Sequence, residues 1–137
     1  MSNQELLIRQ RFTRQELQCR CGCGAMPPQA SIERLTALRY VLDMPLTINS
    51  AARCVRHNTN IKGATNSPHI VPSTARPGEQ KTWGGCGFDI RITSLAHATR
   101  IAIAAEKVGF RGIGISTKNN FIHIDDMARP QITHWDY

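Results

Sequence analysis

Hydrophobic positions along the chain follow two rhythms. Ile32, Leu35, Leu38 and Leu42 recur every three or four residues, which predicts one amphipathic helix over 31–43, with Ser31 as its cap and Pro45 closing it. Leu46 and Ile48 then alternate with polar neighbours, so a short strand is expected to run into Asn49 and Ser50. The same logic makes Phe88–Ile92 a strand. Ser94 caps a second helix in which Leu95, Ala98, Ile101, Ala102, Ala105 and Val108 form an apolar face, and Gly109 supplies a left-handed stop. Residues 112–116 and 120–125 read as two strands joined by the polar 117–119 turn, a hairpin. Between the helices, residues 63–85 are rich in proline, glycine, serine and threonine and follow neither rhythm. That stretch is loop, and so long a loop inside a compact domain is usually functional or mobile.

These elements describe a small single α+β domain with a central, mainly antiparallel sheet flanked by the two helices. A length of 137 residues fits one domain, and 41% hydrophobic with 20% charged residues argues against disorder. The longest aliphatic run, Ile101–Ala105, is far short of the roughly 20 residues a bilayer-spanning helix needs, so no membrane insertion is expected. Only Leu6, Leu7 and Ile8 are consecutively apolar near the N-terminus, too few for a secretory signal. Synthesis in the cytoplasm is the expectation.

Lysine and arginine outnumber aspartate and glutamate 17 to 10, for a formal charge of +7. That excess favours polyanionic partners, among them nucleic acid, anionic membrane and anionic cell-wall polymer. The basic residues are scattered, however, and a plain solvated basic surface explains them equally well. Five cysteines stand at 19, 21, 23, 54 and 86, an odd number that cannot all pair within one chain. Cys19, Cys21 and Cys23 alternate more tightly than the usual zinc knuckle, so packed or oxidised thiols are expected ahead of a metal site.

Three residues stand where catalytic chemistry would need them: His69 in a Ser67-Pro68-His69 turn, Asp89 in the apolar strand 88–92, and His123 in the last hairpin strand. Two imidazoles and a carboxylate make a catalytic zinc set that leaves one position for water. A strand histidine alone is more often structural. An aspartate in an apolar strand is harder to dismiss, because a buried carboxylate requires a partner or a metal.

The order of these motifs resembles the zinc peptidases of peptidoglycan, a family that includes D-Ala-D-Ala carboxypeptidases and the L-Ala-D-Glu endopeptidases often found as phage endolysins. The likeness runs from Phe12 and Glu16-Leu17-x-Cys19-x-Cys21-Gly22-Cys23-Gly24 through Leu35–Arg39 to Asn49-Ser50-Ala51-Ala52-Arg53-Cys54-x-x-His57-Asn58. There the family form has Gly-Tyr where this chain has Ala51-Ala52. The first metal motif of the family is similar to Ser67-x-His69 followed by Gly85-x-Gly87-x-Asp89, with glycine in place of alanine and an insertion at about 70–84. A final match covers Gly109-Phe110-x-Gly112-x-Gly114, Phe121-Ile122-His123-Ile124-Asp125 and Trp135.

That resemblance implies a D-Ala-D-Ala metallopeptidase, or hedgehog-like, fold in which His69, Asp89 and His123 bind Zn2+. It implies that Arg53 holds a substrate carboxylate or polarises the scissile carbonyl, for which the guanidinium fork is suited; the alternative is a surface ion pair. Some branches place a histidine base two residues before the last ligand, where this chain has Phe121. Asp125, on the same strand face as His123, is then the candidate base, with orientation of a histidine as its other possible role. Asp126 points to the opposite face and is expected to be exposed. His57 is a further candidate to support a ligand. The substrate implied is the stem peptide of peptidoglycan, cut by a phage-type lysin that reaches the cell wall through a membrane pore. The competing reading is a non-catalytic zinc or nucleic-acid-binding module built on the cysteines and basic surface. Four Phe, two Trp and two Tyr leave few aromatics for base stacking, so nucleic acid is not the expected partner.

Overall fold

The computed structural model describes residues 12–71 and 84–137, so the expected insertion at 70–84 lies, apart from its ends, outside the described residues. Its elements in chain order are α1 (Arg14–Leu17), α2 (Gln29–Leu42), β1 (Ile48–Ser50), α3 (Val55–Asn60), β2 (Gly87–Arg91), α4 (Leu95–Lys107), β3 (Gly112–Ser116), β4 (Phe121–Asp125) and β5 (Thr133–Asp136). The strands form one sheet in the order β1-β2-β4-β3-β5. Every pairing is antiparallel except β3 with β5. The α+β class and the mainly antiparallel sheet are therefore as the sequence implies.

Alternation along the central strands sorts the sheet into two faces. Phe88 and Ile90 of β2, Ile113 of β3 and Ile122 and Ile124 of β4 are buried in the hydrophobic core with Leu35 and Leu38 of α2 and Ala98, Ile101 and Ala105 of α4. Phe88 meets Phe110 edge to face, ring centroids 6.1 Å apart, an arrangement the aromatic quadrupole favours. The opposite positions, Asp89, His123 and Asp125, carry the candidate chemistry. The core thus positions the site by holding one side of every strand that bears a polar residue on the other.

Helix α4 starts and stops as its sequence predicts. Ser94 Oγ accepts a hydrogen bond from the His97 amide at 3.0 Å, and Gly109 follows with φ +102°. Leu95, assigned to the apolar face, is instead exposed, while Ala104 is buried.

The start of α2 corrects the sequence reading. Pro28 occupies the cap position with no side-chain bond, and Ser31 lies inside the helix, buried. Its hydroxyl donates to Asp126 Oδ2 at 2.8 Å. Asp126, expected to be exposed, has a side chain only 3% exposed, and it also accepts from Arg34 at 3.2 Å and from the Cys86 amide at 2.7 Å. A carboxylate beside the first turn of a helix is favoured by the helix dipole, which explains why this residue turns inward at the end of β4.

Three short elements escaped the pattern reading. Helix α1 carries a capping box in which Thr13 and Glu16 bond reciprocally, but four residues cannot display a helical period. Helix α3 has only six residues, and β5 is mostly polar.

Candidate metal centre

The Ser67-Pro68-His69 turn is built by its own serine: Ser67 Oγ accepts the His69 amide at 3.2 Å, and the Ile70 amide returns to the Ser67 carbonyl at 3.1 Å. The turn is then fixed on two sides. Gly87, opening β2, donates its amide to the Pro68 carbonyl at 2.9 Å. Arg53 donates its amide to the His69 carbonyl at 2.8 Å and accepts from Val71 at 3.1 Å, a parallel bridge that lays 69–71 beside the segment after β1.

Sheet register supplies the other two residues. Asp89 on β2 lies directly opposite His123 on β4, so their side chains rise side by side from one face. His69 Nε2 stands 3.2 Å from Asp89 Oδ2, and His123 Nδ1 stands 2.9 Å from Asp89 Oδ1. One ligand atom from each of the three residues falls within 4.8 Å of the others.

Each imidazole is held by its remaining nitrogen. His69 Nδ1 lies 2.7 Å from the Ala51 carbonyl, which can only accept, so this nitrogen carries the proton and Nε2 keeps its lone pair toward Asp89. His123 Nε2 lies 2.8 Å from Asp125 Oδ2, which fixes the opposite tautomer and turns Nδ1 toward Asp89. A divalent cation fits this set. Two lone pairs and a carboxylate converge with separations near the roughly 3.3 Å edge of a tetrahedron with metal–ligand bonds of about 2.0 Å. Both histidines also have the outer hydrogen-bond acceptors that metal-ligating imidazoles require.

Asp125, the candidate base with orientation of a histidine as its other role, lies buried against His123. It has 0% exposure, its Oδ1 accepts from Arg129 Nε at 3.0 Å, and its Oδ2 accepts from Arg129 and from His123, each at 2.8 Å. No surface is open to water and both oxygens are engaged, the geometry expected of the orienting role. Arg129 was missed by sequence reasoning; its only signal is the four-residue spacing after Asp125. Its guanidinium also lies over the Trp135 ring, 5.3 Å from the centroid, and Trp135 in turn stands 5.4 Å from the His123 ring.

Arg53 is not a surface ion pair. Its side chain is 15% exposed, and one terminal nitrogen lies 3.9 Å from Asp89 Oδ2. The other donates to Asn58 Oδ1 at 3.3 Å and Ser67 Oγ at 3.4 Å. Among the described residues its buried Nε has no hydrogen-bond partner. Asn58, a motif position to which sequence reasoning gave no role, is buried and also donates to the Ala64 carbonyl at 2.9 Å, so it joins Arg53 to the 63–67 loop. His57 donates its amide to Cys54 Sγ at 3.3 Å.

Electrostatics at the cluster follow from these contacts. Burial opposes ionisation of Asp89, but at the low pH where it titrates both imidazoles of the metal-free protein are protonated, and hydrogen bonds from His123 and His69 overcome the burial and hold the carboxyl well below its usual range. Asp125 is likewise opposed by burial and is brought down to about 2 by His123 and Arg129. Burial lowers the pKa of His69. His123 feels the same burial, yet bonds to Asp125 and Asp89 outweigh it and raise its pKa. Burial also lowers that of Arg53.

Comparison with known families gives one result over most of the chain: the sequence model of the family described as Peptidase M15 matches residues 7–125. No curated protein matches.

Proposed function

The chain belongs to the peptidase M15 family, the zinc D-Ala-D-Ala carboxypeptidase family of peptidoglycan peptidases, and from that premise we propose that it hydrolyses a peptide bond in the peptidoglycan stem peptide with zinc held by His69, Asp89 and His123. The observation that carries this reading is the convergence of His69 Nε2, His123 Nδ1 and the Asp89 carboxylate, with both tautomers set by Ala51 and Asp125. A zinc ion bound there supplies Lewis acidity for attack by water on a carbonyl at neutral pH.

The protein's own side chains do the rest. Asp89 brings a negative charge between two neutral imidazoles, and Asp125 keeps His123 from rotating. Arg53 presents a largely buried guanidinium beside this cluster, its terminal nitrogen 3.9 Å from Asp89, and the fork suits a carboxylate or a carbonyl oxygen of the substrate. Asn58 and Ser67 aim that guanidinium, so binding need not first order it.

The role we propose is that of a phage-type lysin, made in the cytoplasm and acting at the cell wall after release through a membrane pore. A formal charge of +7 supports adhesion to anionic wall polymers. No helix among the described residues is long and apolar enough to cross a membrane. The test is digestion of purified peptidoglycan by the zinc-loaded protein, with mass spectrometry of the released fragments. Loss of a terminal D-alanine identifies a carboxypeptidase, and a new amino terminus inside the stem identifies an endopeptidase. Zinc-loaded protein that releases neither product overturns the proposal.

A further inference from the structure

A second set of converging ligands lies where the N-terminal segment meets the turn into α3. The sulfurs of Cys19, Cys21, Cys23 and Cys54 all fall within 4.8 Å of one another. Cys19 and Cys21 are 3.4 Å apart, Cys19 and Cys54 3.8 Å, and Cys21 and Cys54 3.7 Å. Four thiolates around zinc at about 2.3 Å stand about 3.8 Å from one another, the edge of the tetrahedron. We propose that Cys19, Cys21, Cys23 and Cys54 bind a structural zinc ion, independent of the zinc held by the histidines.

Three features beyond proximity support a metal over packed thiols. Cys21 and Cys23 are exposed while Cys19 and Cys54 are buried, so the cluster is half at the surface and hydrophobic packing does not account for it. Backbone amides are directed at both buried sulfurs: the Cys54 amide donates to Cys19 at 3.4 Å and the His57 amide to Cys54 at 3.3 Å. Such donors stabilise negative sulfur and are the outer contacts a thiolate site needs. Finally, Gly22 and Gly24 both have φ +84°, yet a β-carbon on either would meet nothing within 4 Å. Glycine is required there for backbone conformation alone, and that conformation turns three alternating cysteines toward one point.

The ion would join residues far apart in sequence, Cys19–Cys23 to Cys54, and Cys54 adjoins Arg53. Holding that turn would hold the guanidinium of the histidine-centred site. The Leu17 carbonyl accepts the Ala52 amide at 3.2 Å, and Arg20 donates to the Ile48 carbonyl at 3.2 Å, so the same two segments are already aligned for such a link.

The test uses the full chain purified in reductant without chelator. Zinc by elemental analysis should be about two ions per chain, falling to about one in Cys21→Ser and, separately, to about one in His123→Ala. Cobalt(II) added to metal-free wild type should give an intense thiolate-to-metal charge-transfer band that persists in His123→Ala and is lost in Cys21→Ser. Because Cys21 is exposed, its serine variant leaves the core intact, and the cobalt spectrum of unmutated protein reads the site without any substitution. A wild-type spectrum lacking the thiolate band, or zinc content unchanged in Cys21→Ser, overturns the proposal. Loss of the histidine-bound zinc alone would leave this site standing.

Discussion

Gly112 lies directly across from Asp125 in the β3–β4 ladder, and a β-carbon on it would stand 2.4 Å from the carboxylate Oδ2. Gly87 faces Asp125 from the other side, and a β-carbon there would come 2.8 Å from His123 Cε1. The Asp125–His123 pair therefore exists because both neighbouring strands offer no side chain at that level. Gly112→Ala is expected to destabilise the fold by about 1–3 kcal/mol and to weaken zinc binding by displacing Asp125. Urea unfolding with a parallel zinc titration checks both, and unchanged zinc affinity would separate Asp125 from the metal.

Asp125→Asn should keep the fold but lower zinc affinity about 10–100-fold, the usual effect of removing an acceptor behind a ligating histidine. If Asp125 is instead a base, activity should collapse with zinc affinity unchanged. Chelator competition and turnover measured on the same sample distinguish the two.

Arg129→Ala leaves a fully buried carboxylate with one partner fewer. About 3 kcal/mol of stability should be lost, read as a lower urea midpoint, whereas Asp125→Asn combined with Arg129→Ala should recover part of it.

Arg53→Lys retains the charge but not the fork. Zinc content should be unchanged, and KM for a stem peptide should rise about tenfold or more, with a smaller change in kcat if Arg53 binds a substrate carboxylate and a larger one if it polarises the reacting carbonyl.

pH acts on the metal-free protein through groups of opposite sign, among them Asp125 and His123. Asp125 is more acidic folded, at about 2, than its ordinary value of 3.8, so it contributes stability above about pH 4 that disappears as pH falls toward 2. His123 is more basic folded than its ordinary 6.5, so its contribution is complete below that value and is lost as pH rises through the raised pKa. Zinc must displace the His123 proton, hence affinity should rise as pH climbs from His123's ordinary 6.5 through its raised pKa. Chelator competition across that range checks it, and an affinity independent of pH would contradict the assignment of His123 as a ligand.

Much of this molecule is legible in one dimension. The period of Leu35, Leu38, Ala98 and Ile101, the cap at Ser94 and the stop at Gly109 are local, so two helices and the central strands follow from residues within a turn of each other. The polar positions that interrupt apolar strands, Asp89 and His123, stand out for the same reason. The sheet order, with β4 between β2 and β3 and β5 parallel to β3, is set by pairings between distant segments. The burial of Asp126 and the engagement of Asp125 by Arg129 depend on neighbours that only packing brings near. Spacing made the alternating cysteines poor metal ligands; two glycines at positive φ and a fourth sulfur 35 positions away made them converge. Sequence by itself determined the candidate residues His69, Asp89 and His123, because chemical type and strand parity are local properties. Tertiary structure decided which of them act together, because register and loop geometry set the few ångströms on which that depends.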